Sequence, residues 1–194
     1  MSLVKTSNLS QSQVHGDQAG NSITKITNYN QIEGAKPSQV NRLLQLLSDQ
    51  ISKDDSMVGF VDDLQFFVDN REGETVVGLK QKLEVCGRSS SYGDAKKKKE
   101  LFAKLLLRFE RFSSAQQLFA YIMAAIHETF DTKIIPSTAS LSAAEIDALI
   151  DSEIIDKIIS EFGEGSDHLT LNRTHIKGMI YWLADKCYVR WHND

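Results

Sequence analysis

Between Glu100 and Phe130 the chain reads ELFAKLLLRFERFSSAQQLFAYIMAAIHETF, and this run limits the fold more than any other. Leu101, Phe102, Leu105, Leu106 and Phe109 fall on one face of a helix. After Ser113 or Ser114, either of which can cap a new helix, Leu118, Phe119, Ile122, Met123, Ile126 and Phe130 do the same. A strand would scatter these residues over both of its faces, whereas a period of 3.6 gathers them into one broad apolar stripe. Stripes of this width must be buried against other helices, so the chain is expected to be mainly α.

The same period recurs on both sides. Pro37 stops what precedes it, Ser38 supplies an N-cap, and Leu43, Leu44, Leu46, Leu47 and Ile51 follow at helical spacing. A second helix is expected over about 57–68, carrying Phe60, Val61, Leu64, Phe67 and Val68. A third is expected from Thr75 through Val76, Leu79 and Leu83, with Gly87 as its C-terminal cap. RSSSYGD reads as a surface loop, and Pro136 ends the region begun at Glu100. Ser142 and Glu145 form a capping box ahead of Ile146, Leu149, Ile150, Ile154, Ile158, Ile159 and Phe162, up to Gly163. Thr174 can cap a last helix through Met179, Ile180 and Leu183, and CYVRW then alternates like a terminal strand. The expectation is a multi-helix globular domain of about seven helices over 35–194, with a short C-terminal strand.

The N-terminal part is different. Residues 1–13 are polar and read as a flexible leader. In VHGDQAGNSITKITNY the residues Ile23, Lys25, Thr27 and Tyr29 would face one way and Thr24, Ile26 and Asn28 the other. With Gly16 and Gly20 supplying turn geometry, residues 14–34 are expected to form a short β-ribbon. Small residues allow another backbone close, and a lone ribbon leaves free strand edges. Gly16, Asp17, Ala19, Gly20, Ile23, Ile26 and Tyr29 are therefore candidates for an oligomerisation arm.

Composition narrows the function. The formal net charge of −4 over 194 residues disfavours a generally basic, nucleic-acid-wrapping surface. Cys86 and Cys187 lie far apart and suit free thiols in a reducing cytoplasm, and no segment has the length and hydropathy of a membrane span or signal peptide. There is no G-K-[ST], no G-x-S-x-G, no E-x-K and no G-x-G-x-x-G. No catalytic group, cofactor or metal site is expected. His127 and Asp131, four apart in HETFD, share a helical face as metal ligands do, yet no third ligand stands at a fixed spacing.

Two clusters suit interactions. Lys96, Lys97, Lys98 and Lys99 form the basic cluster, a candidate contact for phosphate or an acidic protein surface. The segment from Glu145 to Glu161 holds Glu145, Asp147, Asp151, Glu153, Asp156 and Glu161 against Lys157, and is a possible acidic counterpart. Near the C-terminus Tyr181, Trp182, Tyr188, Arg190 and Trp191 are of the types that finish a core or anchor an interface; Trp182, Arg190 and Trp191 are the interface candidates.

GLKQKLEVCGR, ELFAKLLLRFERFSSAQQLFAYIMAAI, EIDALIDSEIIDKII and above all IKGMIYWLADKCYVRW resemble the C-terminal domain of bacterial ABC-three-component conflict systems, of which the Lamassu anti-phage systems are the best-known type. The resemblance covers about residues 38–194. GDQAGNSIT is similar to the G-D-x-A-G-x-x-I-T segment that often precedes helical domains in such systems, with Asn21 and Ser22 departing from its usual residues. The resemblance implies a module that couples an effector to an SMC-like ATPase assembly. The expected function is then a non-catalytic interaction and oligomerisation subunit of an anti-phage defence complex. Its partners would be further copies of itself and the effector or ATPase subunits, not a membrane and not nucleic acid. The other reading is a small nucleic-acid-binding or metal-dependent regulator acting through Lys96–Lys99 or HETFD.

Overall fold

The structure, a computed structural model, describes residues 38–192. The leader expected at 1–13 and the ribbon expected at 14–34 lie outside the described residues.

Among the described residues seven continuous helices form. Ser38 caps α1 (Gln39–Lys53) by accepting from Asn41 N at 3.2 Å, and Val40, Leu43, Leu44 and Leu47 are buried. α2 (Asp62–Val68) begins later than the apolar pattern suggests. Residues 57–61 bond elsewhere: Met57 N donates to Arg111 O at 2.9 Å, Val61 N donates to Gln116 Oε1 at 2.6 Å, and Gln116 Nε2 donates to Gly59 O at 2.9 Å. α3 (Gly78–Val85) follows, and then a 3-10 turn (Ser89–Ser91) leads directly into α4 (Tyr92–Phe109), so RSSSYGD is largely helical and not a loop.

α5 runs over 113–137 as Ser113–Thr129, a π turn at Phe130–Ile134, and Ile135–Ser137, stopping one residue after Pro136. α6 runs over 143–162 as Ala143–Ile150, a second π turn at Asp151–Ile155, and Asp156–Phe162. Its start is the Ser142–Glu145 capping box, and Gly163 (φ 62°) ends it. α7 (Arg173–Asp185) is capped by Asn172, not Thr174: Asn172 Oδ1 accepts from Thr174 N and His175 N at 2.9 and 3.1 Å, and His175 Nδ1 accepts from Asn172 N at 3.3 Å.

α5 is the central element. Leu118, Phe119, Ile122, Met123 and Ile126 are buried in it, along with Ser114, Ala115, Gln116 and Ala120, and it touches α1, α2, α4, α6 and α7. Gln50 of α1 caps its start, accepting from Ser114 N at 3.1 Å, while its Nε2 donates to Ser113 Oγ at 2.9 Å. α4 lies along α7, and at Gly178 the two are so near that an added Cβ would stand 3.0 Å from Phe102 Cβ.

The terminal strand expected at CYVRW does not form; the described residues contain no strand. Cys187, Tyr188, Val189 and Trp191 are all buried, so the segment has no solvent face for its alternation to mark. With no strand beside it to complete a ladder, its polar groups bond to helices instead.

Candidate functional site

A connected set of long-range polar contacts forms where this C-terminal segment lies against α2, α3 and the start of α5's π turn. Asp185, the last residue of α7, accepts Leu79 N on Oδ1 at 3.2 Å and Lys99 Nζ on Oδ2 at 2.7 Å. A carboxylate at the N-terminus of α3 satisfies an otherwise unpaired main-chain donor and suits the helix dipole. Lys186 O accepts from Arg71 N at 3.0 Å. Trp182 Nε1 donates to Phe67 O at 3.1 Å and Tyr188 OH donates to Phe66 O, fastening the end of α2.

Lys82 is the most unusual residue here, because its side chain is wholly buried. Its Nζ donates to Val189 O at 3.1 Å. Burial pushes its pKa below the ordinary lysine value, and nearby Cys187 and Glu74 oppose that fall. Glu74 in turn pairs with Arg190 at 3.0 Å. Lys82 is not among the site residues expected from the sequence; its place between Leu79 and Leu83 on the buried stripe of α3 is the signal the sequence carries.

The structure brings Lys99, Trp182, Arg190 and Trp191 into this one region. Trp182 stacks edge-on against Phe102 with centroids 5.8 Å apart, and Trp191 meets Phe130 at 5.9 Å and Tyr181 at 6.1 Å. Lys96, Lys97 and Lys98 stand apart from it: Lys96 lies 3.9 Å from Glu100, Lys98 binds Asp94, and Lys97 is exposed. The acidic helix does not use the lysine run. Asp147 meets Arg88 at 2.5 Å, Asp151 meets Arg173 and Lys177, Glu153 meets Lys133 and Lys157, Asp156 meets Arg173, and Glu161 accepts from Tyr121 OH.

His127 and Asp131 do meet, at 3.3 Å, with Arg71 Nη1 3.5 Å from His127 Nε2. Burial moves the His127 pKa down; Asp131 raises it and Arg71 lowers it further. Phe67 and Tyr188 pack edge-on against the ring, at 6.3 and 5.6 Å. No group of three or more His, Cys, Asp or Glu among the described residues is placed to hold a metal ion. No helix among them is long and apolar enough to cross a membrane.

The profile of the family described as C-terminal domain 9 of the ABC-three component (ABC-3C) systems matches residues 78–191, more than half of the chain. The chain belongs to this family. No curated protein and no solved structure matches it. In this ABC-3C domain the matched span opens at Gly78, the first residue of α3, and closes at Trp191. It thus takes in α3 to α7 together with Lys82, Lys99, Asp185 and Arg190. Arg71, Glu74 and the two carbonyls of α2 reach this ABC-3C unit from outside the match.

Proposed function

We propose that this chain is a non-catalytic interaction and oligomerisation subunit of a bacterial anti-phage defence complex, coupling an effector to an SMC-like ATPase assembly in the cytoplasm. The observation that carries the reading is the match to the ABC-3C C-terminal domain across 78–191. It is supported by the occupation of the two most chemically suggestive groups: Lys82 bonds a main-chain carbonyl, and His127 lies against Asp131 and edge-on to aromatic rings. Self-association is assigned to Gly16, Asp17, Ala19, Gly20, Ile23, Ile26 and Tyr29. The seam at Trp182, Arg190 and Trp191 keeps the shape of the surface that a partner meets.

The test is co-expression with the products of the neighbouring genes, followed by size-exclusion chromatography with light scattering, for the full chain and for a chain lacking residues 1–34. The full chain is expected to form a defined complex of higher mass, and the shortened one a smaller assembly that still unfolds cooperatively. Nuclease, ATPase or protease activity of the purified chain, or elution as a lone monomer beside every candidate partner, overturns the reading.

A further inference from the structure

We propose that the solvent face of α4 docks an acidic amphipathic helix of a partner protein, an assignment that deepens the subunit reading above and rests on it. Lys97, Leu101, Lys104 and Arg108 follow one another at intervals of four, three and four residues. That is the spacing at which one helix stays in contact with another along a seam. At 1.5 Å per residue the seam is about 16 Å long, enough for roughly three turns of a partner. Lys97, Lys104 and Arg108 are exposed, Leu101 is 39% exposed, and Leu107 stands at its edge 61% exposed. On the opposite side Ala95, Phe102, Leu106 and Phe109 are buried, so the face is held by the core and is already formed.

The charge of the missing occupant follows from which cations have partners. Among the described residues Lys97 and Lys104 have no carboxylate within ion-pair distance, and Arg108 lies over the Phe109 ring at 5.2 Å. The lysines that interrupt the seam are engaged, Lys96 with Glu100, Lys98 with Asp94 and Lys99 with Asp185, as are Arg88, Arg173 and Arg190 elsewhere in the domain. The stripe is net positive, the one carboxylate at its edge, Glu100, lying beside Lys96; in a chain of net charge −4 it selects an acidic partner, and the two leucines select one that brings apolar residues at the same spacing. Three cations are few for a nucleic acid, whose affinity comes from many phosphate contacts, and leucine offers phosphate nothing. Anionic bilayers are bound by runs of about four to eight cations. The acidic helix of a second copy is a poor occupant, since α6 has already matched its carboxylates internally.

The experiment uses the full chain co-expressed with the products of the neighbouring genes. The dissociation constant of the resulting complex is measured for the parent, for Lys97→Glu/Lys104→Glu/Arg108→Glu, and for Leu101→Ser/Leu107→Ser. Each variant is expected to bind at least about tenfold more weakly, and parent binding to weaken as salt rises from about 0.1 M to about 0.5 M. All five side chains are exposed, so the unfolding midpoint should stay that of the parent; the leucine variant serves if charge reversal disturbs folding. Binding by both variants within about twofold of the parent overturns the docking face and leaves the subunit reading standing. No complex with the parent overturns both. Duplex DNA or phosphatidylserine vesicles that bind the parent but not the triple variant, or a parent homo-oligomer that falls apart in the triple variant, overturn the acidic-helix assignment in favour of those occupants.

Discussion

Replacing Gly178 by alanine tests the packing on which the matched domain depends. In an exposed helix interior the change stabilises by about 0.8–1 kcal/mol, because alanine loses less backbone entropy. Here the new Cβ would lie 3.0 Å from Phe102 Cβ and 3.1 Å from Lys98 C, and closer still to the Lys98 carbonyl oxygen. Carbon atoms rest at about 3.5–4.0 Å, so α4 and α7 must part by roughly 0.5–1 Å. A main-chain carbonyl inside a helix cannot rotate away, and α4 and α7 share the most extensive helix pairing in the domain. Overpacking of this kind costs about 1–3 kcal/mol, and the upper part of that range applies when the obstacle is backbone. Set against the propensity gain, the net loss is about 1–2 kcal/mol, or roughly 2–8 °C in Tm for a domain of this size. The assay is reversible thermal or urea unfolding of Gly178→Ala beside Gly93→Ala, where α4 has nothing within 4 Å of an added Cβ. Gly93→Ala should match or exceed the parent. A Gly178→Ala protein as stable as the parent would refute the close-approach argument.

Three further outcomes are expected. Lys82→Ala removes a buried stem and the donor to Val189 O, and should cost about 3 kcal/mol or more by urea unfolding; Lys82→Met keeps the stem and should cost about 1–3 kcal/mol. Asn172→Ala should cost about 1 kcal/mol and Thr174→Ala almost nothing, because Asn172 and not Thr174 caps α7; equal losses would contradict this. Burial lowers the pKa of His127 and His175, so between their native values and 6.5 the unfolded chain binds more protons and stability rises with pH. The urea midpoint should therefore decline as pH falls below 6.5. It should decline again between pH 4.5 and about 2, where Glu153, held down by Lys133 and Lys157, takes up its proton.

What could be read from the sequence was local. The stripes of α1, α5 and α6 repeat within a few residues, as do the caps at Ser38, Ser142 and Gly163, whose partners lie within four positions along the chain. Those features point to a mainly helical domain, and the blocks around them carry the resemblance to the family. Two of the differences share one cause. The late start of α2 depends on Arg111 and Gln116, some fifty residues on. The strand-free path of Cys187 to Trp191 depends on Lys82, about a hundred residues back. RSSSYGD becomes largely helical, running into α4, although its serines and its glycine favour a turn. A two-residue alternation is a statement about near neighbours, and it is overruled when distant groups take the same hydrogen bonds or bury both faces; the capping threonine is displaced locally, by Asn172 two residues before it. The sequence by itself determined the helices and where most of them stop. The tertiary structure decided which lysine is buried, which glycine sits at a crossing, and which cations on α4 are left without a carboxylate, because each depends on side chains that only the folded chain brings within a few ångströms.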